Sequence, residues 1–154
     1  MPRSMENSNS RLLLSEILRK VSNAKTKQEK VSLLRKHNTT ALRQLLIINF
    51  DESIVSMMPE GEVPYTPNDA PLGTDHTRLE SEYRGLYRFF KGGQDNLPSL
   101  KRESMFVQLL EGLCADEAEL LVLVKDGRLN DSYKRITKAV VSEAYPNIEW
   151  GGRS

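Results

Sequence analysis

Pro59, Pro64, Pro67 and Pro71, together with Gly61 and Gly73, all fall within residues 59–74. Proline locks φ and lacks a backbone donor, so this density admits neither a helix nor an interior strand. The chain is therefore split into two stretches that must build a fold around an irregular connector, residues 59–76. Connections in compact domains usually run about 4–6 residues, so one this long is expected to wrap the surface and is a candidate for function.

On both sides of the connector the apolar residues recur at helical spacing, and no stretch alternates over the length of a strand. Leu13, Leu14, Ile17, Leu18 and Val21 form a first stripe, with Ser10 or Asn9 as its cap. Thr26 followed by Glu29 reads as a capping box for a second helix carrying Val31 and Leu34. Thr39 or Thr40 begins a third, with Leu42, Leu45, Leu46 and Asn49 on one face. Asp51 is expected to cap a short helix over 52–58 that Pro59 ends. Beyond the connector, Thr77 and Glu80 form a second capping box for a helix through Tyr83, Leu86, Tyr87 and Phe90, stopped by Gly92 and Gly93. Ser99 opens the next, with Leu100, Phe106, Val107, Leu110 and Leu113. Asp116 caps residues 117–125, whose apolar run 120–124 is expected to be fully buried. Thr137 caps a last helix through Val140, Val141 and Ala144, ended by Pro146.

These elements predict a single compact all-α domain of about seven or eight short helices over residues 10–146. Residues 1–9 are expected to be a flexible N-terminus and 147–154 a C-terminal tail. The length of 154 residues suits one core. Its longest apolar run, five residues from Leu120 to Val124, is far short of the roughly 20 needed to span a bilayer. One cysteine, Cys114, excludes an internal disulfide and fits a reducing compartment, so a cytoplasmic location is expected. Its apolar neighbours favour a packed thiol over a nucleophile.

A net charge of +1 conceals alternating blocks. Residues 1–50 carry ten Lys or Arg against three acids, and residues 51–82 carry Arg78 against eight. The pattern repeats more weakly as +4 over 83–102, −5 over 103–124 and +2 over 125–154. Basic stretches that converge on one face are the footprint of a phosphate-backbone binder. The competing reading is a set of solvated helix faces balanced by acidic neighbours.

Chemistry at a catalytic centre has little to work with. The two histidines, His37 and His76, have no partner at metal-ligand spacing, so neither a metal nor a cofactor is expected. Asp75 and His76 sit where a catalytic pair might be sought, yet more plausibly help begin a helix. Lys125-Asp-Gly-Arg128 resembles the Lys-x-Asp-Gly motif of nucleotidyltransferases but lacks the intervening residue and the downstream motifs. A helix-ending turn is the better reading, and the chain is expected not to be an enzyme.

The segment Leu14-Ser-Glu-Ile-Leu-Arg-Lys-Val21, followed by Thr26-Lys-Gln-Glu-Lys-Val-Ser-Leu-Leu-Arg-Lys36 and Ala41-Leu-Arg-Gln-Leu-Leu46, resembles the opening of phage-type ATP-dependent DNA ligases. Glu119-Leu-Leu-Val-Leu-Val-Lys-Asp-Gly-Arg-Leu129 with Ile136-Thr-Lys-Ala-Val-Val-Ser-Glu-Ala-Tyr-Pro146 is similar to the end of their N-terminal all-α DNA-binding domain. The connector has no counterpart there. Taken whole, the chain looks closer to a group of small uncharacterised proteins of T-even-like tailed phages. The resemblance implies a DNA ligase N-terminal-domain-like fold that holds duplex DNA through phosphates, without reading sequence. Carried onto this chain, the DNA-binding candidates are Lys25, Lys27 and Lys30 near the first turn, and Lys125, Arg128, Lys134, Arg135 and Lys138 near the last. Lys27 and Lys138 match most directly; the others follow from proximity.

Two aromatic features stand beside this reading. Tyr83, Tyr87 and Phe90 at i, i+4 and i+7 have the spacing of a buried face, with Arg84, Arg88 and Lys91 interleaved. The alternative is a stacking platform for single strands. Trp150, before Gly151 and Gly152 in the tail, is the kind of residue a partner protein buries. The sequence thus yields two expectations: a non-specific duplex DNA-binding module acting in a phage-infected host, or an adaptor or virion component docking on a host or phage protein through the acidic connector and Trp150.

Overall fold

A computed structural model describes residues 12–68 and 76–153. The expected flexible N-terminus, the Ser10 or Asn9 cap, residues 69–75 of the connector and Ser154 lie outside the described residues. The chain is all-α. Its helices are α1 (Leu14–Asn23), α2 (Lys27–Lys36), α3 (Thr40–Phe50), α4 (Leu79–Glu82), α5 (Ser99–Gly112), α6 (Ala115–Lys125) and α7 (Lys138–Ala144), with 3-10 turns over Tyr83–Phe89 and Leu129–Asp131. Two isolated bridges, Ser56 with Phe90 and Thr77 with Leu113, are the β-type pairings among the described residues.

Threonine caps set three helix starts. Thr26 Oγ1 accepts from the Glu29 amide at 3.1 Å, Thr39 Oγ1 from Leu42 at 3.2 Å, and Thr137 Oγ1 from Val140 at 3.2 Å. Each such cap contributes about 1 kcal/mol. In the α2 cap the Glu29 carboxylate receives the Thr26 hydroxyl at 3.1 Å instead of the threonine amide. Two caps expected beyond the connector are absent. Helix α6 starts after Cys114 with Asp116 already in its first turn, and α4 starts after Arg78 with no side-chain cap.

Helix α2 packs against α1 and α7, and α3 against α6. Leu18, Val21, Leu34, Leu42, Leu45, Leu110, Leu120 and Leu121 are wholly buried in one core. Full burial of each leucine contributes roughly 1.5–3 kcal/mol. Cys114 is buried, and burial pushes its thiol up, as a packed cysteine requires. Of the run 120–124, Val122 and Leu123 are only partly covered. Leu100, expected on the inner stripe of α5, is 81% exposed.

At residues 52–58 the expected helix does not form. The Asp51 carboxylate accepts from the Ser53 amide and hydroxyl at 2.9 and 2.6 Å, and also from Gly151 and Arg153. Thus bound, it does not cap a helix. The following residues extend to pair with the end of the 3-10 turn, through Met57 N–H to Phe89 O at 2.9 Å and Lys91 N–H to Val55 O at 2.8 Å.

The tail also departs from expectation, because residues 147–153 fold back on the body. Trp150 packs against the core and donates Nε1–H to Ser142 Oγ at 3.1 Å. Gly151 N–H reaches Asp51 at 2.9 Å, and the Arg153 guanidinium meets the same carboxylate at 2.5 Å.

Candidate nucleic-acid interface

The turn between α1 and α2 is built around a buried lysine. Lys30 Nζ donates to the carbonyls of Val21 at 3.1 Å, Ser22 at 3.1 Å and Ala24 at 2.5 Å, closing the C-terminal end of α1. Carbonyls at a helix end lack the usual amide four residues on; the Val21 carbonyl also takes the Ala24 amide at 3.2 Å, and the ammonium supplies donors to all three. Lys30 is thereby corrected from a phosphate ligand to a structural clamp. Lys25, at the tip of the same turn, is exposed and makes no ion pair among the described residues. Lys27 is exposed and meets Glu143 of α7 at 3.1 Å.

Residues 132–137 are fastened to this turn. Ser22 Oγ donates to the Lys134 carbonyl at 2.9 Å, and Arg19 Nη1 to the Ser132 carbonyl at 2.6 Å. The Asn130 side chain holds both the carbonyl and the amide of Ile136, at 2.8 and 3.2 Å. Arg135 adopts φ 65°, a left-handed conformation that L-residues rarely take. Lys134 and Arg135 are exposed and without an ion pair among the described residues. Next in line, Lys138 opens α7 with its ammonium 5.0 Å from the centre of the Trp150 ring. Contacts between α2 and α7 bring Lys27 and Lys138 onto two neighbouring helices, while their side chains take different partners.

Two of the remaining candidates belong elsewhere. The Lys125 side chain has no exposure and donates to the carbonyls of Pro59 at 3.0 Å and Gly61 at 2.9 Å and to Asp126 at 2.7 Å. Asp126 in turn accepts from the Gly61 amide at 2.9 Å. Lys125 therefore straps the start of the connector to the body, which corrects its assignment to DNA. Arg128 turns to the same connector, its guanidinium 3.3 Å from Glu60. Trp150 is half-buried by its contacts with Ser142 and Lys138, so the free docking aromatic expected in the tail is corrected as well.

A concave surface that sequence reasoning placed in the core lies at the 3-10 turn. A 3-10 turn has a period near three, so the inward row becomes Tyr83, Leu86 and Phe89, of which Leu86 and Phe89 are buried. Tyr87 leaves the row and is 50% exposed. It borders a groove of about 440 Å³ against Gln44 and Ile48 of α3. An α-helical wheel cannot find this groove, whereas the interleaved Arg84, Arg88 and Lys91 were its visible signal.

No group of three or more His, Cys, Asp or Glu side chains among the described residues is arranged to hold a metal ion. Asp75 of the Asp75–His76 pair lies outside the described residues. No helix among the described residues is long and apolar enough to cross a membrane.

The architecture defines a small all-α domain in which the C-terminal end of α1 and the loop before α7 are hydrogen-bonded to each other. Residues 17–131 match a family of unknown function, DUF6433, and the chain belongs to that family. None of the curated proteins and none of the solved structures matches it.

Proposed function

We propose that this chain is a non-enzymatic module that binds duplex DNA without sequence preference, through Lys25, Lys134 and Arg135 with Lys27 and Lys138 flanking them. The observation that carries the reading is the Ser22–Lys134 hydrogen bond, 2.9 Å long across 112 positions of sequence. It sets a cationic loop from the C-terminal part beside a cationic turn from the N-terminal part. Lys27 contributes despite Glu143, because an ion pair this exposed is worth only about 0–1 kcal/mol and exchanges readily. The N-terminal end of α2 adds amide dipoles of the right sign for phosphate. Phage origin and action in the host cytoplasm rest on the sequence resemblance alone.

The reading predicts a small, salt-sensitive footprint. Three to five phosphate contacts correspond to a slope of log affinity against log salt of about −3 to −4.5. Filter binding of a duplex over a salt series tests it. The double variant Lys134→Glu with Arg135→Glu is expected to weaken retention at least tenfold at ~50 mM salt. An undiminished affinity, or no retention by the wild type at that salt, sinks the proposal. The adaptor reading keeps the acidic connector but not a free Trp150, and no contact among the described residues favours it.

A further inference from the structure

We infer that the groove beside Tyr87 is a binding site for single-stranded DNA, taking one splayed base on the tyrosine ring and its phosphates on the surrounding cations. This is a second site, independent of the duplex surface.

The first argument is shape. The groove of about 440 Å³ is walled by Tyr83, Leu86 and Phe90 on one side and by Ile48 of α3 on the other. Tyr87 stands at its rim, half exposed, although Leu86, Phe89 and Phe90 around it are buried. The rim is preorganised by the Gly92–Gly93 turn. Gly92 takes φ 93°, and a Cβ on Gly93 would lie 2.0 Å from the Tyr87 carbonyl oxygen. Only glycine lets the turn close against the tyrosine backbone.

The second argument is charge. Arg84, Lys91 and Arg153 line the groove, and no carboxylate does. Arg153 is tied to Asp51, but Arg84, Arg88 and Lys91 make no ion pair among the described residues. The Arg84 and Arg88 guanidinium carbons lie 5.6 and 5.4 Å from the Tyr83 and Tyr87 ring centres. Of the acids nearest along the chain, Asp95 accepts from the Gly92 amide at 2.6 Å, and Glu82 lines a separate recess with Arg88, outside this groove. A half-exposed ring with Arg88 over it and Arg84 and Lys91 nearby matches a base and its phosphodiester together, whereas an acidic peptide would use the charge alone. Bases within a duplex are stacked and cannot reach the ring, so the strand must be single. A 2′-hydroxyl would have to compete for Gln44, the tyrosine hydroxyls and the cations that the base and phosphates already engage, and we therefore assign DNA over RNA.

Anisotropy of a fluorescein-labelled oligo(dT) of twelve nucleotides, with the full chain at ~50 mM salt, tests the assignment. Tyr87→Ala is expected to weaken binding at least about fivefold, the low end for loss of one stacked base. Tyr87→Phe, which keeps the ring, is expected to bind within twofold of the wild type. Duplex retention is expected to stay within twofold in Tyr87→Ala, and oligo(dT) binding within twofold in the Lys134→Glu, Arg135→Glu variant, so the two sites fail separately. The inference is overturned if the wild type does not bind oligo(dT), if Tyr87→Ala binds it unchanged, or if Tyr87→Phe is as weak as Tyr87→Ala. Loss of duplex and single-strand binding together in Tyr87→Ala overturns it too. So does tighter binding of oligo(rU), or displacement of the probe by an oligoglutamate peptide as readily as by unlabelled oligo(dT).

Discussion

The Arg19 guanidinium lies 4.1 Å from the centre of the Tyr133 ring. Burial raises the Tyr133 phenol to about 12 against the opposing pull of that guanidinium, so the ring stays neutral beneath its cation throughout the physiological range. The same guanidinium bonds the Ser132 carbonyl. One side chain of α1 thus holds the loop that carries Lys134 and Arg135.

Arg19→Ala is expected to cost about 1–2.5 kcal/mol, the sum of a cation–π contact and one hydrogen bond. Urea denaturation measures the loss. Unchanged stability would mean that the loop keeps its place without Arg19.

Lys30→Met preserves the length of the side chain but removes the donors for three carbonyls. An unsatisfied buried polar group costs about 1–3 kcal/mol, and a loss in that range is expected on chemical unfolding. The salt slope of duplex binding is expected to remain that of the wild type, because Lys30 is buried and faces no ligand. A slope that falls by about one unit would return Lys30 to the phosphate contacts.

Glu117 is wholly buried, and its two carboxylate oxygens accept the amides of Leu14 and Leu79, each at 3.0 Å. Burial raises its carboxyl, while the two amides and Arg78 pull it down. Glu117→Gln replaces one acceptor with a donor that faces an N–H. A destabilisation of about 1–3 kcal/mol is therefore expected. Hydrogen exchange at Leu14 and Leu79 locates it: at least one of these amides should lose protection, and equal protection in both proteins would count against the bidentate role.

Asp51 anchors the C-terminal segment through Gly151 and Arg153. Burial raises its carboxyl, but hydrogen bonds from Ser53, Gly151 and Arg153 outweigh burial and hold it well below the ordinary 3.8. A depressed folded-state value means that the stabilisation is complete above about pH 4 and drains as pH falls through the folded value. Asp51→Asn is expected to be less stable than the wild type at pH 6, with the gap closing below pH 4. Trp150 is the single tryptophan, so its emission reports whether the segment lifts off. A gap independent of pH would show that the carboxylate charge is not what anchors it.

The single-strand groove illustrates why part of the site was hidden. Tyr83, Tyr87 and Phe90 fit a buried face at 3.6 residues per turn, and the turn instead tightens to a period near three. That choice depends on pairings with residues 55 and 57 across the chain, which no local pattern announces. Tyr133 and Ile136 are buried for a similar reason, lying in a loop that only its contact with α1 makes interior. The same distant contacts separate the lysines. Lys25 and Lys30 share one turn and Lys125 and Arg128 another, yet in each pair one is buried and the other exposed.

Helix positions were legible because their causes are local: apolar residues three and four apart, threonines capping amides three residues on, prolines and glycines ending the run. The all-α class and the starts of α2, α3 and α7 needed nothing more. The fate of each charge could not be read this way. Lys125 finds Pro59 across 66 positions, and Ser22 finds Lys134 across 112. A buried ammonium group is tolerated only where folding supplies acceptors for it, and those acceptors come from parts of the chain that sequence order leaves far apart.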